Sequence, residues 1–112
     1  MDVRRFKRIR TSLGCTFAWS DSFERFRTID VSAGGILVDR SGVGQQIPKV
    51  GVEGECVFTL ENIEIRAQAR VVRVSPSSFG LKFVGLPRSL EDRIVAWVLR
   101  QEALLLSRRI PR

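Results

Sequence analysis

Apolar and polar residues alternate along much of the first 84 positions, and a period of two is typical of β-strands. The alternation is clearest between Ser12 and Trp19, where odd positions are apolar and even positions are small or polar. Weaker alternation and runs of β-forming residues follow further along. Together these patterns predict six strands, over residues 12–19, 23–29, 36–38, 56–60, 64–74 and 79–84.

The predicted strands are joined mostly by short connections. Residues 30–35 and 75–78 are rich in turn-forming Asp, Ser, Pro and Gly, whereas residues 41–54 predict an exposed loop of about a dozen residues. Within residues 64–74, Val72 and Val74 fall on the polar parity, which indicates a bulge near Val71 or burial on both sides. Six strands at hairpin spacing with no intervening helix predict a closed antiparallel barrel.

The period changes after Pro87, where Ser89–Asp92 resembles a capping box and predicts a single C-terminal helix. The residues that recur at helical spacing are Leu90, Ile94, Trp97, Val98 and Leu105. A second apolar group widens the stripe and consists of Val95, Leu99, Leu104 and Leu106. Two interpretations stay open for this second group, a dimer or partner interface and ordinary core packing.

A chain of 112 residues has the length of one domain. The expected fold class is all-β with a C-terminal helix. Residues 1–11 are expected to form a flexible basic arm, residues 12–86 the barrel, and residues 87–112 the helix and a basic tail.

Positive charge is concentrated at the two ends of the chain. The net charge is +7, with +4 in residues 1–10 and +3 in residues 100–112, while the acids and bases between them cancel. Sixteen of the 19 basic residues are Arg, which favours planar recognition of phosphate groups or guanine edges. The charge therefore indicates an anionic partner.

Several classes of function are excluded by composition. The absence of histidine rules out His-based nucleophile pairs, general bases and zinc ligands, so we expect no enzyme, no metal and no cofactor. Cys15 and Cys56 are interpreted as small buried apolar residues rather than a disulfide framework or a metal pair. No signal peptide or membrane span is evident, so a cytoplasmic location without membrane insertion is expected.

The first candidate motif is Arg4-Arg5-Phe6-Lys7-Arg8, in which two arginines stand four residues apart. A basic terminal segment is most often a solvated tail. In an extended arm, however, Arg4 and Arg8 point to the same side about 13 Å apart. From there their side chains can converge on one diphosphate-sized ligand.

The second candidate motif is Asp30-x-Ser32-x-x-Gly35, where one predicted strand turns into the next. One interpretation is turn chemistry, in which Asp and Ser bond to nearby backbone and glycine supplies a positive φ. The other is a guanine cradle, in which the carboxylate accepts hydrogen bonds from guanine N1–H and N2–H₂, the hydroxyl adds a contact, and glycine permits close approach. Arginine complements this cradle because it pairs with guanine O6 and N7.

The two motifs in this order, followed by a strand-rich region, resemble the PilZ domain of bacteria. The similarity extends to Ser78–Phe83, which is similar to the last strand of the family, and to the terminal helix. The resemblance implies a six-stranded barrel of the split-barrel type that binds the second messenger cyclic di-GMP. By position, Arg4 and Arg8 would hold the phosphates and one guanine edge, Asp30, Ser32 and Gly35 would form the cradle, and Arg5 would match an additional family arginine.

The arm suggests a mechanism. Residues 1–10 are expected to bury little, so that ligand binding would order the arm over the barrel and create a surface for a downstream partner protein. Arg70 and Arg73, on a strand expected to run beside the site, are candidate secondary contacts, and Arg10 lies outside the motif. The number of ligands bound, the partner, and the choice between monomer and homodimer stay open.

Two alternatives come from other classes of protein. A PilZ-like scaffold would bind protein without nucleotide. A basic barrel that binds single-stranded nucleic acid would need exposed aromatic residues. The aromatic residues of the predicted strands fit positions that face the barrel interior better; they are Phe17, Trp19, Phe79 and Phe83. Binding of single-stranded nucleic acid or of DNA is therefore not expected.

Overall fold

The computed structural model describes residues 6–40, 42 and 44–109. Its elements in chain order are β1 (Ile9–Arg10), β2 (Gly14–Trp19), β3 (Ser22–Ser32), β4 (Gly35–Asp39), β5 (Glu53–Leu60), β6 (Ile63–Val74), β7 (Ser78–Phe83) and α1 (Arg88–Arg109). Strands β2 to β7 form a closed antiparallel barrel in the order β3-β2-β5-β6-β7-β4, with β4 pairing back to β3. The predicted all-β barrel with a C-terminal helix is confirmed.

The barrel core is made of side chains from alternate strand positions. Its largest fully buried strand members are Phe17, Phe58, Phe79, Ile36 and Ile65, and Ile94 of the C-terminal helix is buried with them. The predicted inward parity of the aromatic residues is confirmed for Phe17, Phe79 and Phe83, which are at most 7% exposed. Trp19 is half-buried and stacks on Phe17 with ring centroids 5.4 Å apart. Three of these four rings are therefore held inside the barrel, away from any base that could stack on its surface.

The short strand β1 lies in the segment that the sequence predicts as a flexible arm. It pairs antiparallel with β3, opposite Asp30 and Val31, and Ile9 is 8% exposed. Phe6 also packs against the core. The expectation that residues 1–10 bury little is therefore wrong for these two side chains, since a distant strand supplies the surface that they cover.

Two β-bulges decide which side chains reach the outer surface. The register shift in β6 between Val71 and Arg73 confirms the bulge that the sequence indicates there, and Val72 is 47% exposed. A second shift, in β3 between Thr28 and Asp30, is not predicted. A bulge moves the following residues to the other face of the strand. Thr28 consequently faces the core, whereas Asp30 faces outward.

Helix α1 lies against β1 and β3. It begins at Arg88, one residue before the predicted start at Ser89, and the Pro87 carbonyl accepts hydrogen bonds from the Leu90 and Glu91 amides at 3.0 and 2.9 Å. The helical residues buried most completely are Ile94, Trp97 and Val98. Within the described residues, no helix is long and apolar enough to cross a bilayer.

The second half of α1 differs from the sequence expectation. Its exposed leucines are Leu99, Leu104, Leu105 and Leu106, with exposures between 41% and 54%. The prediction that Leu105 shares the core-facing stripe is therefore wrong. The interpretation as ordinary core packing is also wrong for Leu99, Leu104 and Leu106. It fits Val95, which packs against the core. The helix continues beyond the residues that seat it on the barrel.

Candidate ligand-binding site

The Asp30–Gly35 motif forms the β3–β4 hairpin, and Ser32 organises its turn. The Ser32 hydroxyl oxygen accepts hydrogen bonds from the Gly34 and Gly35 amides at 3.1 and 3.2 Å, and the hydroxyl lies 3.2 Å from the Gly35 carbonyl, to which it donates. Ser32 is only 1% exposed. The structure thus gives this side chain the turn chemistry that is one of its two interpretations from sequence.

Gly35 is required by a close approach of two backbones. A Cβ atom at this position would lie 2.1 Å from the Leu81 carbonyl oxygen on β7. Gly35 does not have a positive φ, and neither does Gly34. Of the turn interpretation, the positive φ is therefore wrong for this glycine, which is needed because strand β7 passes so near.

An ion pair joins the two predicted motifs. Arg8 Nη1 donates to Asp30 Oδ1 at 2.6 Å, and the two side chains are 41% and 19% exposed. The sequence distance between them is 22 residues, and the pairing of β1 with β3 brings them together. Arg4 and Arg5, the other predicted residues of the first motif, lie outside the described residues.

Phe6 and Lys7, which lie between the motif arginines, attach the arm to its surroundings. A Cβ atom on Gly34 would lie 3.3 Å from Phe6 Cδ2, so the ring covers the hairpin turn. Lys7 Nζ forms an ion pair with Glu102 Oε2 of α1 at 3.2 Å. A cavity of about 230 Å³ beside them is lined by Phe6, Lys7, Ala33, Val95, Val98 and Leu99. The sequence analysis assigned no role to Phe6 or Lys7. Phe6 could have been singled out, because it is the one apolar residue among residues 4–8.

The outer face of the barrel beside Asp30 carries a continuous row of paired residues. Residues directly opposite in neighbouring strands project to the same face. In this row Arg10 lies opposite Asp30, and Asp30 lies opposite Leu37. Leu37 in turn lies opposite Gly80, and Gly80 opposite Arg73. The guanidinium groups of Arg10 and Arg73 therefore lie on the same face as the Asp30 carboxylate, with Arg10 on one side of it along the row and Arg73 on the other.

The two candidate secondary contacts on β6 are not equivalent. Strand β7 separates β6 from β4, so the expectation that their strand runs directly beside the motif is wrong. The bulge between Val71 and Arg73 nonetheless puts Arg70 and Arg73 on the same outer face, opposite Lys82 and Gly80 respectively. Arg70 is paired with Glu53 at 2.6 Å, whereas Arg73 lies over Gly80 and makes no ion pair within the described residues.

At the two motifs, Arg8 and Asp30 are partly exposed, whereas Ser32 and Gly35 are buried. A cavity of about 630 Å³ opens elsewhere on the barrel wall, and none of Arg8, Asp30, Ser32 and Gly35 lines it.

Burial raises the pKa of the Cys15 thiol to about 12 and that of the Cys56 thiol well above 9.0, so both are protonated at neutral pH. Over the described residues there is no group of three or more side chains suited to hold a metal ion. The chemistry at the motifs is that of charge and hydrogen bonding.

The sequence matches the PilZ domain family over residues 2–100. The chain belongs to the PilZ domain family. No curated protein matches the sequence. Among solved structures, the PilZ domain of YcgR from Escherichia coli, with c-di-GMP, aligns over 97% of this chain and 100% of its own, at 17% identity and a TM-score of 0.76.

Two longer proteins are also similar to this PilZ domain. The inhibitor of motility MotI/DgrA of Bacillus subtilis aligns over 98% of this chain and 55% of its own, at 18% identity and a TM-score of 0.80. The PlzA protein of Borreliella burgdorferi, in complex with c-di-GMP, aligns over 87% and 41%, at 19% identity and a TM-score of 0.61. The chain spans about half the length of these two proteins, and at such identities the likeness shows the fold.

Proposed function

We propose that this PilZ domain is a receptor for cyclic di-GMP. The observation that carries the proposal is the 2.6 Å contact between Arg8 and Asp30, because it joins the arginine motif and the hairpin motif at one point where both side chains are partly exposed. The c-di-GMP complexes among the structurally similar PilZ proteins support the same ligand. In this proposal the domain acts as a receptor and not as an enzyme. It works in the cytoplasm and does not insert into a membrane.

The hairpin would bind a guanine through Asp30. Its carboxylate accepts hydrogen bonds from guanine N1–H and N2–H₂, a pairing in which two donors meet two acceptor oxygens. Ser32 and Gly35 contribute by fixing the turn that presents this carboxylate, since the hydroxyl bonds within the turn and the glycine admits β7. The cradle is thus formed before the ligand arrives.

Binding at Asp30 requires that Arg8 be released. In the free protein the guanidinium of Arg8 occupies a carboxylate oxygen that the guanine would use. The ligand compensates for this loss by offering phosphate oxygens and the guanine O6 and N7 acceptors, all of which suit a guanidinium. Arg4 and Arg5 would join Arg8 on the phosphates, in agreement with their places in the motif.

The output of binding would be a composite surface of arm, ligand and barrel that a downstream partner protein reads. Phe6 and Ile9 already pack against the barrel, so the segment that the ligand orders is shorter than the sequence suggests. Within the described residues, the Arg8 side chain is the part of the arm that must leave Asp30 when the ligand binds. On the opposite side of the ligand, Arg73, which has no ion pair in the part of the chain that the structure describes, is a better secondary contact than Arg70, whose charge Glu53 neutralises.

Isothermal titration calorimetry of cyclic di-GMP into the purified protein tests the proposal. We expect micromolar or tighter binding in the wild type and no measurable binding in Arg8→Ala or Asp30→Asn, whose unfolding free energies should change by no more than about 1 kcal/mol because the ion pair is partly exposed. Asp21 is an exposed acid in the turn between β2 and β3, at the opposite end of β3 from Asp30; Asp21→Asn is the matched control and should bind like the wild type. GMP should give no binding.

The alternatives correspond to distinct results of the same titration. No heat in the wild type would contradict the receptor function and favour a PilZ scaffold that binds protein without nucleotide. Equal binding of GMP or of single-stranded oligonucleotides would indicate general anion recognition. Wild-type affinity in Arg8→Ala would contradict the site, even if the ligand is right.

A further inference from the structure

Arg10 is the nearest charged neighbour of the motif that sequence reasoning leaves without a role. It lies directly opposite Asp30 in the β1–β3 ladder, and residues in such a pair have Cβ atoms about 5 Å apart on the same face of the sheet. Its side chain is exposed, and within the described residues it makes no ion pair. A guanidinium group without a partner therefore stands beside the carboxylate of the proposed guanine cradle.

The position of Arg10 is fixed by its neighbours. Ile9, the residue before it, is 8% exposed in the core, and the two residues form the whole of β1. The Thr11 amide, just after it, donates to the Ile29 carbonyl at 3.1 Å. The backbone on both sides of Arg10 is thus held against β3, so little backbone ordering is needed before this side chain contacts a ligand.

The charges around Asp30 do not balance in the free protein. Arg8 and Arg10 both lie beside one carboxylate, and Arg8 alone is bonded to it. When guanine donors take the carboxylate, the guanidinium groups of Arg8 and Arg10 have no carboxylate paired to them among residues 6–40, 42 and 44–109. A cyclic dinucleotide carries two phosphate groups, one negative charge each, and so it supplies two anions to two arginines about 7 Å apart along the strand.

We propose that Arg10 is a further ligand-binding residue of this site, contacting a phosphate of the bound cyclic dinucleotide while Arg8 contacts the other. The inference rests on the proposed function and extends the site from the hairpin to the edge formed by β1. It assigns the ligand-facing surface to three elements, the arm, β1 and the β3–β4 hairpin. Arg10 belongs to the rigid part of this surface, whereas Arg8 must first leave Asp30.

The test is calorimetric titration of cyclic di-GMP at several KCl concentrations into the wild type, Arg10→Gln, Arg10→Lys and Arg93→Gln. Arg93 is an exposed arginine of α1 that makes no ion pair within the described residues, so its replacement removes the same charge from a different element. We expect Arg10→Gln to weaken binding about tenfold and to lower the salt dependence of the affinity, because one phosphate contact is lost. Arg10→Lys should recover part of the loss, and Arg93→Gln should match the wild type.

Three results would overturn the inference. Equal affinities of Arg10→Gln and Arg93→Gln would show that Arg10 does not contact the ligand. A tenfold loss with the salt dependence of the wild type would show that Arg10 acts on Asp30 and not on a phosphate. A lower unfolding midpoint of unliganded Arg10→Gln, with no recovery in Arg10→Lys, would assign the loss to β1 itself. If the wild type fails to bind, the proposed function fails first and the inference with it.

Discussion

The contact between Gly35 and strand β7 gives one residue of the hairpin motif a purely steric requirement. The 2.1 Å that would separate a Cβ atom from the Leu81 carbonyl oxygen is far below van der Waals contact, and both groups belong to paired backbones that cannot move aside easily. A glycine here is thus demanded by the barrel, whatever the ligand. Within six residues, the motif joins this steric requirement at Gly35 to a partly exposed carboxylate at Asp30.

Gly35→Ala should therefore destabilise the protein. We expect the free energy of unfolding to fall by about 2–4 kcal/mol, since the strands must separate or distort to admit the methyl group. Gly80→Ala is the matched control, because a Cβ there would meet only side-chain atoms at 3.5 Å or more. Urea denaturation of both variants measures the difference, and equal stabilities would contradict the steric explanation.

Asp30 and Ser32 show how differently two residues of one motif are used. Asp30 is turned outward by the bulge in β3 and is partly exposed, whereas Ser32 is buried and bonded to the turn. Replacement of Asp30 removes a surface charge and its ion pair with Arg8, but replacement of Ser32 removes the hydroxyl that closes the turn. Under the proposed function, the first change would act on binding directly, and the second would act through the shape of the hairpin.

Among the elements, helix α1 divides into two parts at Leu99. Before it, Ile94, Trp97 and Val98 are at most 5% exposed and seat the helix beside β1 and β3. From Leu99 onward, the apolar side chains are about half exposed. Since burial of apolar area is what stabilises a packed helix, the two parts must contribute unequally to the stability of the domain.

Alanine substitutions at the two parts of α1 should separate clearly in stability. Trp97→Ala should cost about 3–5 kcal/mol, because it leaves a large cavity between helix and barrel. Leu105→Ala, at 41% exposure, should change stability by no more than about 0.5 kcal/mol. Thermal unfolding of both variants measures this, and a large loss in Leu105→Ala would show that a second surface covers the leucines in solution.

At the scale of the whole molecule, the closed barrel encloses two thiols. Cys15 and Cys56 are 4% and 0% exposed, and they lie on the neighbouring strands β2 and β5. Burial removes water from both thiols and so raises the pKa of each, to about 12 for Cys15, where Arg27 opposes the shift. In the unfolded chain the same thiols titrate near 9.0.

The unfolding free energy should therefore fall as pH rises above about 9. Below that pH both states keep the thiol protons, whereas above it the unfolded chain loses them and the folded barrel retains them. The slope for each thiol approaches about 1.4 kcal/mol per pH unit. Denaturation of the wild type and of Cys15→Ala between pH 8.5 and 10.5 measures it, and the variant should show a smaller decrease. Parallel curves would contradict a raised thiol pKa.

The sequence determined the barrel, the C-terminal helix and the candidate residues of the proposed site, because each rests on local information. Alternation of side chains specifies strands, a change of period specifies a helix, and the spacing of motif residues is independent of strand pairing. The sequence also indicated the bulge in β6, because Val72 and Val74 are apolar residues at positions where the alternation predicts polar ones.

The tertiary structure alone decided how the site is assembled. The bulge in β3 was hidden because the polar Thr28 occupies a core-facing position, where it bonds to the backbone at Thr11 and Leu13. The Arg8–Asp30 ion pair, the cover of Phe6 on Gly34 and the place of Arg10 beside Asp30 all depend on the pairing of β1 with β3. Contacts between residues 20 or more positions apart are fixed by which strands become neighbours, and no local pattern in the chain carries that information.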